Sequence, residues 1–284
     1  MGTQAKTPGR LYVVATPIGN LQDMSPRAIE VLSSVSVIAA EDTRHSKKLL
    51  THFGVGTRLT SLHEHNERSL AGSLVRRLGQ GEDVALISDA GTPRISDPGY
   101  VLVRKARAAG IDVLSVPGPS ALTAALSIAG LPTDRFRFEG FLPAKQAARR
   151  QRLEELAGET VTLVFYESSH RIVDSLADMA ECLGASREVV VARELTKVFE
   201  TVRAGALGEL CRESGGDAQQ QKGEFVVMVQ GATTDASTLD EQVRRTLAVL
   251  LEELPLSQAA ALAAKITGVA KKRLYEYGLK IKDA

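Results

Sequence analysis

Four short apolar runs, Leu11 to Ala15, Val35 to Ala40, Val84 to Ile87 and Val113 to Val116, alternate with longer stretches of helical period. Each run is too short for a helix and apolar at nearly every position, so both of its faces must be buried. Strands of that kind belong to a mainly parallel sheet with helices on either side. In such a sheet ligands gather beyond the carboxyl ends of the strands. The loops that leave those ends are therefore where function is to be sought.

Gly130-Leu131-Pro132 interrupts the pattern after a helix of small residues, Ser120 to Ala129, and a new series begins near Phe136. Strands are expected at Phe136 to Phe141, Thr160 to Tyr166, Val189 to Arg193 and Phe225 to Val229, with a helix at His170 to Leu183. Ala232 to Thr238 reads as a polar linker, followed by helices at Leu239 to Leu251 and Leu256 to Ile281, the latter broken by a turn at Thr267-Gly268. The chain thus divides into an α/β domain over 1–130, a second α/β domain over 131–231 and a small helical domain over 239–284. Cys182 and Cys211 have no metal-ligand spacing and form no disulfide framework, which favours a reducing compartment, the cytoplasm. No apolar run reaches the roughly 18 residues that a membrane-crossing helix needs.

The first loop, Thr16-Pro17-Ile18-Gly19-Asn20, lacks the glycine spacing of a dinucleotide site, and no phosphate-cradling Gly-x-x-x-x-Gly-Lys run exists. Further strand-end loops combine small residues and prolines with Asp or Ser: Glu41-Asp42-Thr43-Arg44, Ser88-Asp89-Ala90-Gly91-Thr92-Pro93, Ser96-Asp97-Pro98-Gly99 and Pro117-Gly118-Pro119-Ser120. Taken singly, such loops are structural turns. Together they let backbone approach a small ligand bearing amine, hydroxyl and adenine groups. The second series adds Tyr166-Glu167-Ser168, Ala192-Arg193-Glu194-Leu195 and Lys222-Gly223-Glu224 at its own strand ends.

These loops, in this order and with Glu139-Gly140-Phe141-Leu142-Pro143, resemble the tetrapyrrole methylase superfamily over roughly Leu11 to Gly231, and in particular its branch acting on ribosomal RNA. The resemblance implies two α/β domains holding S-adenosylmethionine in the cleft between them, a helix-turn-helix-like tail, a homodimer, and no metal. It also implies the substrate: the ribose 2′-hydroxyl of a cytidine in the decoding region of small-subunit ribosomal RNA, free or in the 30S particle. Carried over by resemblance, donor contacts fall on Pro17, Ile18, Asp89, Ala90, Gly91, Ile95, Ser96, Ser120 and Ala121, and in the second domain on Tyr166, Leu195 and Gly223. Methylation of a porphyrinoid small molecule is the alternative, and a non-enzymatic nucleic-acid regulator built on the tail is a third. Membrane association and DNA recognition are not expected.

Methyl transfer from a sulfonium is a single displacement, so the protein must align the reacting atoms and exclude water. Asp89 has a physical reason to face the donor, since a carboxylate offsets positive charge; capping its own turn is the competing role. A ribose hydroxyl must also lose its proton, and Asp42, Glu41, Asp23, His63 and His65 are candidates for taking it. Asp42 is favoured. Beside Arg44, however, its pKa is expected to fall, which suits the pair to holding ribose and phosphate.

RNA needs cations, yet the chain carries 35 Lys and Arg against 34 Asp and Glu. Three windows escape that balance, each with a surplus of four positive charges: Thr43 to Leu62 (Arg44, Lys47, Lys48, Arg58), Leu142 to Arg152 (Lys145, Arg149, Arg150, Arg152) and Lys271 to Lys282 (Lys271, Lys272, Arg273, Lys280, Lys282, less Glu276). One lies in each expected domain, as a bridging RNA surface would have them.

Overall fold

The computed structural model describes residues 7–216, 221–233 and 241–282. It contains two compact units, Met1–Gly231 and Ala232–Ala284.

The first unit opens with five parallel strands, β1 (Leu11–Val14), β2 (Val37–Ala40), β3 (Leu59–Ser61), β4 (Val84–Ile87) and β5 (Val113–Val116), in the order β3-β2-β4-β1-β5. The strand period of two sends Val37, Ala39, Val84 and Leu86 to one face and Ile38, Ala40, Ala85 and Ile87 to the other. Leu74, Leu78 and Leu102, from α3 (Glu67–Gly79) and α4 (Tyr100–Ala108), fill the first face. Ala28, Leu32 and Leu50, from α1 (Pro26–Ser34) and α2 (Thr43–His52), fill the second. Both faces of the central strands are covered, as their continuous apolar character requires. Helix starts are fixed locally: Ser25 accepts from the Ala28 amide at 3.1 Å, with Pro26 in the first helical position, and Asp42 accepts from the Arg44 amide at 2.8 Å.

After α5 (Ala121–Ile128) the chain enters a second five-stranded sheet, comprising β6 (Phe136–Phe141), β7 (Thr162–Ser168), β8 (Glu188–Arg193), β9 (Thr201–Ala206) and β10 (Glu224–Val229) in the order β6-β7-β10-β8-β9. β6 and β7 are parallel and the remaining pairs antiparallel. The outer face packs on α6 (Gln146–Leu156), α7 (Ile172–Leu183) and α8 (Leu207–Gly216) through Leu153, Leu156, Phe165, Leu176 and Leu210. The inner face, with Val164, Val190, Ala192, Val226 and Met228, packs on Leu122 and Ala125 of α5 and on Ile18 and Ile95 from loops of the first sheet. The active-site loops are thus wedged against the second sheet by apolar burial.

The second unit holds α9 (Glu241–Glu253), α10 (Leu256–Thr267) and α11 (Lys271–Lys282) around Leu247, Ala259, Ala260, Ala263 and Leu274. Gly268 takes φ 74° at the end of α10, a left-handed cap that reverses the chain into α11. The expected turn at Thr267-Gly268 is where the structure puts it. Most of the expected linker, and the first two residues of the expected Leu239 to Leu251 helix, lie outside the described residues.

Two strands had no counterpart in the sequence reading, β3 and β9. Both are partly buried sheet edges, and unlike the edges β5 and β6 their residues, Leu59-Thr60-Ser61 and Thr201-Val202-Arg203-Ala204-Gly205-Ala206, carry no apolar or aromatic run to mark them.

Candidate active site

Backbone ties hold the carboxyl-end loops of the first sheet together. Thr16 and Gly91 exchange both backbone hydrogen bonds, at 2.9 and 3.0 Å. The Thr92 hydroxyl donates to the Pro119 carbonyl at 3.0 Å, and the Asp42 amide donates to Asp89 Oδ1 at 3.0 Å. The loops after β1, β2, β4 and β5 therefore form one floor. Gly91 is required there, because its φ is 78° and a Cβ would lie 3.2 Å from Ile18.

Above this floor, facing the second sheet, is a cavity of about 380 Å³, within the range of about 300–1,000 Å³ usual for small-molecule sites. Ten of the twelve expected donor contacts line it: Ile18, Ala90, Gly91, Ile95, Ser96, Ser120, Ala121, Tyr166, Leu195 and Gly223. Pro17 and Asp89 do not. Asp89 is a tie between loops, spending one oxygen on the Asp42 amide.

The lining also contains Asp97, which the sequence reading passed over. Burial pushes its carboxyl up to about 6, and the neighbouring Glu41 and Asp89 push the same way against a hydrogen bond from Ser88. Glu41 is raised as well, by burial and then by Asp89. Carboxylates crowded into a half-buried cleft repel one another, and a cation entering it would relieve that repulsion. The Ser120 hydroxyl, buried in the lining, has no hydrogen-bond partner, so a polar group is accommodated at that point too. Apolar walls come from Ile18, Ile95, Leu195 and Tyr166; burial raises the Tyr166 pKa, and its ring meets Phe138 edge-on at 4.8 Å. An anionic carboxyl, an orphaned hydroxyl and flat apolar walls fit the sulfonium, ribose and adenine of S-adenosylmethionine.

Two walls of the cavity are held in strained backbone. Four non-glycine residues have positive φ among the described residues, and they flank two lining side chains: Arg94 (74°) and Ser96 (71°) around Ile95, Glu194 (51°) and Thr196 (67°) around Leu195. Such geometry costs of order 1–3 kcal/mol per residue and persists only where the surroundings impose it. Around Leu195 the constraint is visible. Lys197 Nζ donates to Glu194 at 2.7 Å and Glu224 at 2.9 Å, and the Glu224 amide donates to Glu194 at 3.0 Å.

Residues 10–211 match the family Tetrapyrrole (Corrin/Porphyrin) Methylases. The chain belongs to the tetrapyrrole methylase family. Residues 237–282 match the RsmI C-terminal HTH domain. Among similar proteins, the Ribosomal RNA small subunit methyltransferase I of Pseudomonas aeruginosa is 58% identical over 273 residues, covering 95% of this chain and 97% of that protein. The protein of the same name from Escherichia coli O157:H7 is 54% identical over 271 residues, covering 95% of each. The methyltransferase CobJ has the same fold at a TM-score of 0.58 and 19% identity, over 79% of this chain and 95% of that one. Uroporphyrin-III-C-methyltransferase from Thermus thermophilus does so at 0.51 and 20%, over 78% and 94%. The expected pair of α/β layers is that of this methylase family, and the expected helical tail falls in the region that matches the RsmI C-terminal HTH domain.

The residues considered for proton removal separate. Asp42 caps α2, and hydrogen bonds from the Arg44 amide and guanidinium hold its carboxyl below the usual range, which makes it a weak base. Arg44 projects into solvent with its side chain 91% exposed, 3.4 Å from Asp42. Asp23, in the loop after β1, is exposed. Among the described residues no group of three His, Cys, Asp or Glu side chains is placed to hold a metal ion.

One expectation about RNA contact is corrected. In the window Leu142 to Arg152, Arg149 is buried against Asp178, Arg150 bridges Asp178 and Glu181, and Arg152 bridges Glu139 and Glu155. Those cations tie α6 to α7 and β6, leaving Lys145 without a salt bridge among the described residues. Lys47, Lys48 and Arg58 of the first window are exposed, as are Lys271 and Lys272 of the third. The side chains of Lys280 and Lys282 lie outside the described residues.

Proposed function

We propose that the chain methylates the ribose 2′-hydroxyl of a cytidine in the decoding region of small-subunit ribosomal RNA, with S-adenosylmethionine as donor. The observation that carries the donor assignment is the cavity itself, a small apolar chamber with the Asp97 carboxyl and the unpartnered Ser120 hydroxyl in its wall. The RNA assignment rests on the relatives' names, on the exposed cations of α2, and on a tail that matches a helix-turn-helix domain.

When bound, the donor supplies an electrophilic methyl carbon on a sulfonium. Asp97 balances that positive charge, Ser120 engages a polar group of the donor, and Ile18, Ile95, Leu195 and Tyr166 keep water from the reacting atoms. Asp89 positions the Asp42 and Arg44 turn through its bond to the Asp42 amide. Arg44 takes a phosphate of the acceptor and Asp42 orients the pair. The working parts are an α/β domain over 1–130, a second over 131–231 that completes the donor cleft, and a docking domain over 239–284. The enzyme works in the cytoplasm as a homodimer, a reading to which the exposed Val198 and Phe199 lend support at 93% and 71% accessibility.

Tritium transfer from labelled donor decides among substrates. Small ribosomal subunits or their RNA become labelled if the proposal is right. Label on porphyrinoid precursors alone, or on nothing, overturns it.

A further inference from the structure

At the β2–β3 edge of the first sheet, beyond the same carboxyl ends of the strands whose loops floor the cavity, the loop Leu62–Asn66 carries a pair of imidazoles that the reaction as proposed does not use. Ala40 pairs with Ser61 in the parallel register, so Asp42 and His63, each two residues further on, leave neighbouring strands at the same level. The Ser61 hydroxyl at the end of β3 donates to the Glu41 carbonyl at 3.4 Å, Glu64 helps raise the Glu41 pKa, and Glu41 in turn helps raise that of Asp97 in the cavity wall.

The loop is clamped. The Asn66 side chain accepts from the His63 amide and donates to the Ser61 carbonyl, both at 2.9 Å, and the Asn66 and Glu67 amides return to the His63 carbonyl at 3.0 and 2.9 Å. So held, the rings of His63 and His65 form a corner, 5.9 Å between centroids and 65° between planes. His65 is exposed and His63 half-buried. His63 Nδ1 is buried with no hydrogen-bond partner. A buried unpaired N–H is more costly than an unpaired lone pair, which favours the tautomer carrying its proton on Nε2 and so makes that nitrogen a donor.

We infer that this corner receives the nucleobase of the acceptor ribonucleotide, its face stacked on His65 and an acceptor atom of its edge met by His63 Nε2–H. A cytosine presents both a flat face and adjacent acceptors, O2 and N3. The surrounding charge agrees. A phosphodiester is repelled by Glu41, Glu64, Asp89 and Asp97 and is drawn instead to the side where Arg44, Lys47 and Lys48 stand along the first turns of α2.

The inference rests on the RNA reading above, and its test separates the two. Purified full-length chain is assayed for methyl transfer to 30S subunits prepared without this modification, and donor-site integrity is followed by calorimetry with S-adenosylhomocysteine. His65→Ala and His63→Ala are each expected to raise KM for the subunits about tenfold, the scale of one lost base stack for His65 and of one buried hydrogen bond left unmade for His63. S-adenosylhomocysteine affinity should stay at the wild-type value, and His63→Gln, which keeps a side-chain donor, should recover part of the loss. Wild-type KM in both alanine variants overturns the nucleobase corner while leaving the methyltransferase reading intact. Absence of transfer by the wild-type chain sinks both.

Discussion

The role proposed for Asp97 in donor binding would come at the expense of folding. Its carboxyl is raised from 3.8 to about 6, first by burial and then by Glu41 and Asp89. The folded chain therefore binds that proton more tightly than the unfolded chain does, and stability falls as pH rises from about 4 to about 6. Asp97→Asn should raise stability above pH 6 by about 1 kcal/mol, after discounting for the group's partial exposure, and leave it unchanged below pH 3.8. Thermal melts at pH 3.5 and 7.5 check this. Donor affinity should move oppositely. In the wild type it weakens as pH drops through about 6 and the carboxylate is neutralised, whereas the Asn variant binds roughly tenfold more weakly at pH 7.5 with no such step. Calorimetry across that range reads both. Asp97 was present in a loop singled out from sequence, but its importance was not legible there. The pKa shift arises from burial beside Ser88, Glu41 and Asp89, which the fold assembles from separate strand ends.

At the scale of elements, the central strands were legible because burial on both faces leaves an apolar residue at nearly every position. β3 and β9 were not, since Leu59-Thr60-Ser61 and Thr201–Ala206 lack the apolar or aromatic run that the edges β5 and β6 retain. The same lesson governs charge. A sequence window counts cations but not partners about thirty residues away, and Asp178 of α7 lies that far from Arg149 and Arg150. Burial disfavours the Asp178 carboxylate, but hydrogen bonds from Arg150 and Arg149 outweigh it and hold the pKa below the usual range. Asp178→Ala leaves Arg149 buried without its counter-ion and should cost about 3–5 kcal/mol in urea unfolding. The strap around Leu195 makes a second prediction at this scale. Gly223 has φ 104°, and a Cβ there would lie 2.5 Å from Glu194. Gly223→Ala should displace Glu194 and Leu195 and weaken donor binding; unchanged affinity by calorimetry would show that the strap does not shape the site.

For the molecule as a whole, a net charge of +1 concealed an uneven distribution whose meaning depends on the fold. The cations of α6 are structural, whereas those along α2 and at the start of α11 are exposed. The proposed function assigns RNA contact to these two exposed surfaces, so removing residues 239–284 should weaken binding to small subunits while leaving donor affinity unchanged, because every residue lining the cavity lies in the first unit. Filter binding and calorimetry on the truncated chain distinguish those outcomes. In the proposed function the donor sits in the cavity between the two sheets and the acceptor enters over the β2–β3 edge. The central proposal is methylation on the nucleotide's sugar, and alkaline hydrolysis of RNA tests it most directly, because a 2′-O-methyl group protects the adjoining phosphodiester. After transfer of labelled methyl to small subunits, the label should be recovered in an alkali-stable dinucleotide beginning with cytidine. Label released wholly in mononucleotides would place the methyl group on a base and contradict the account.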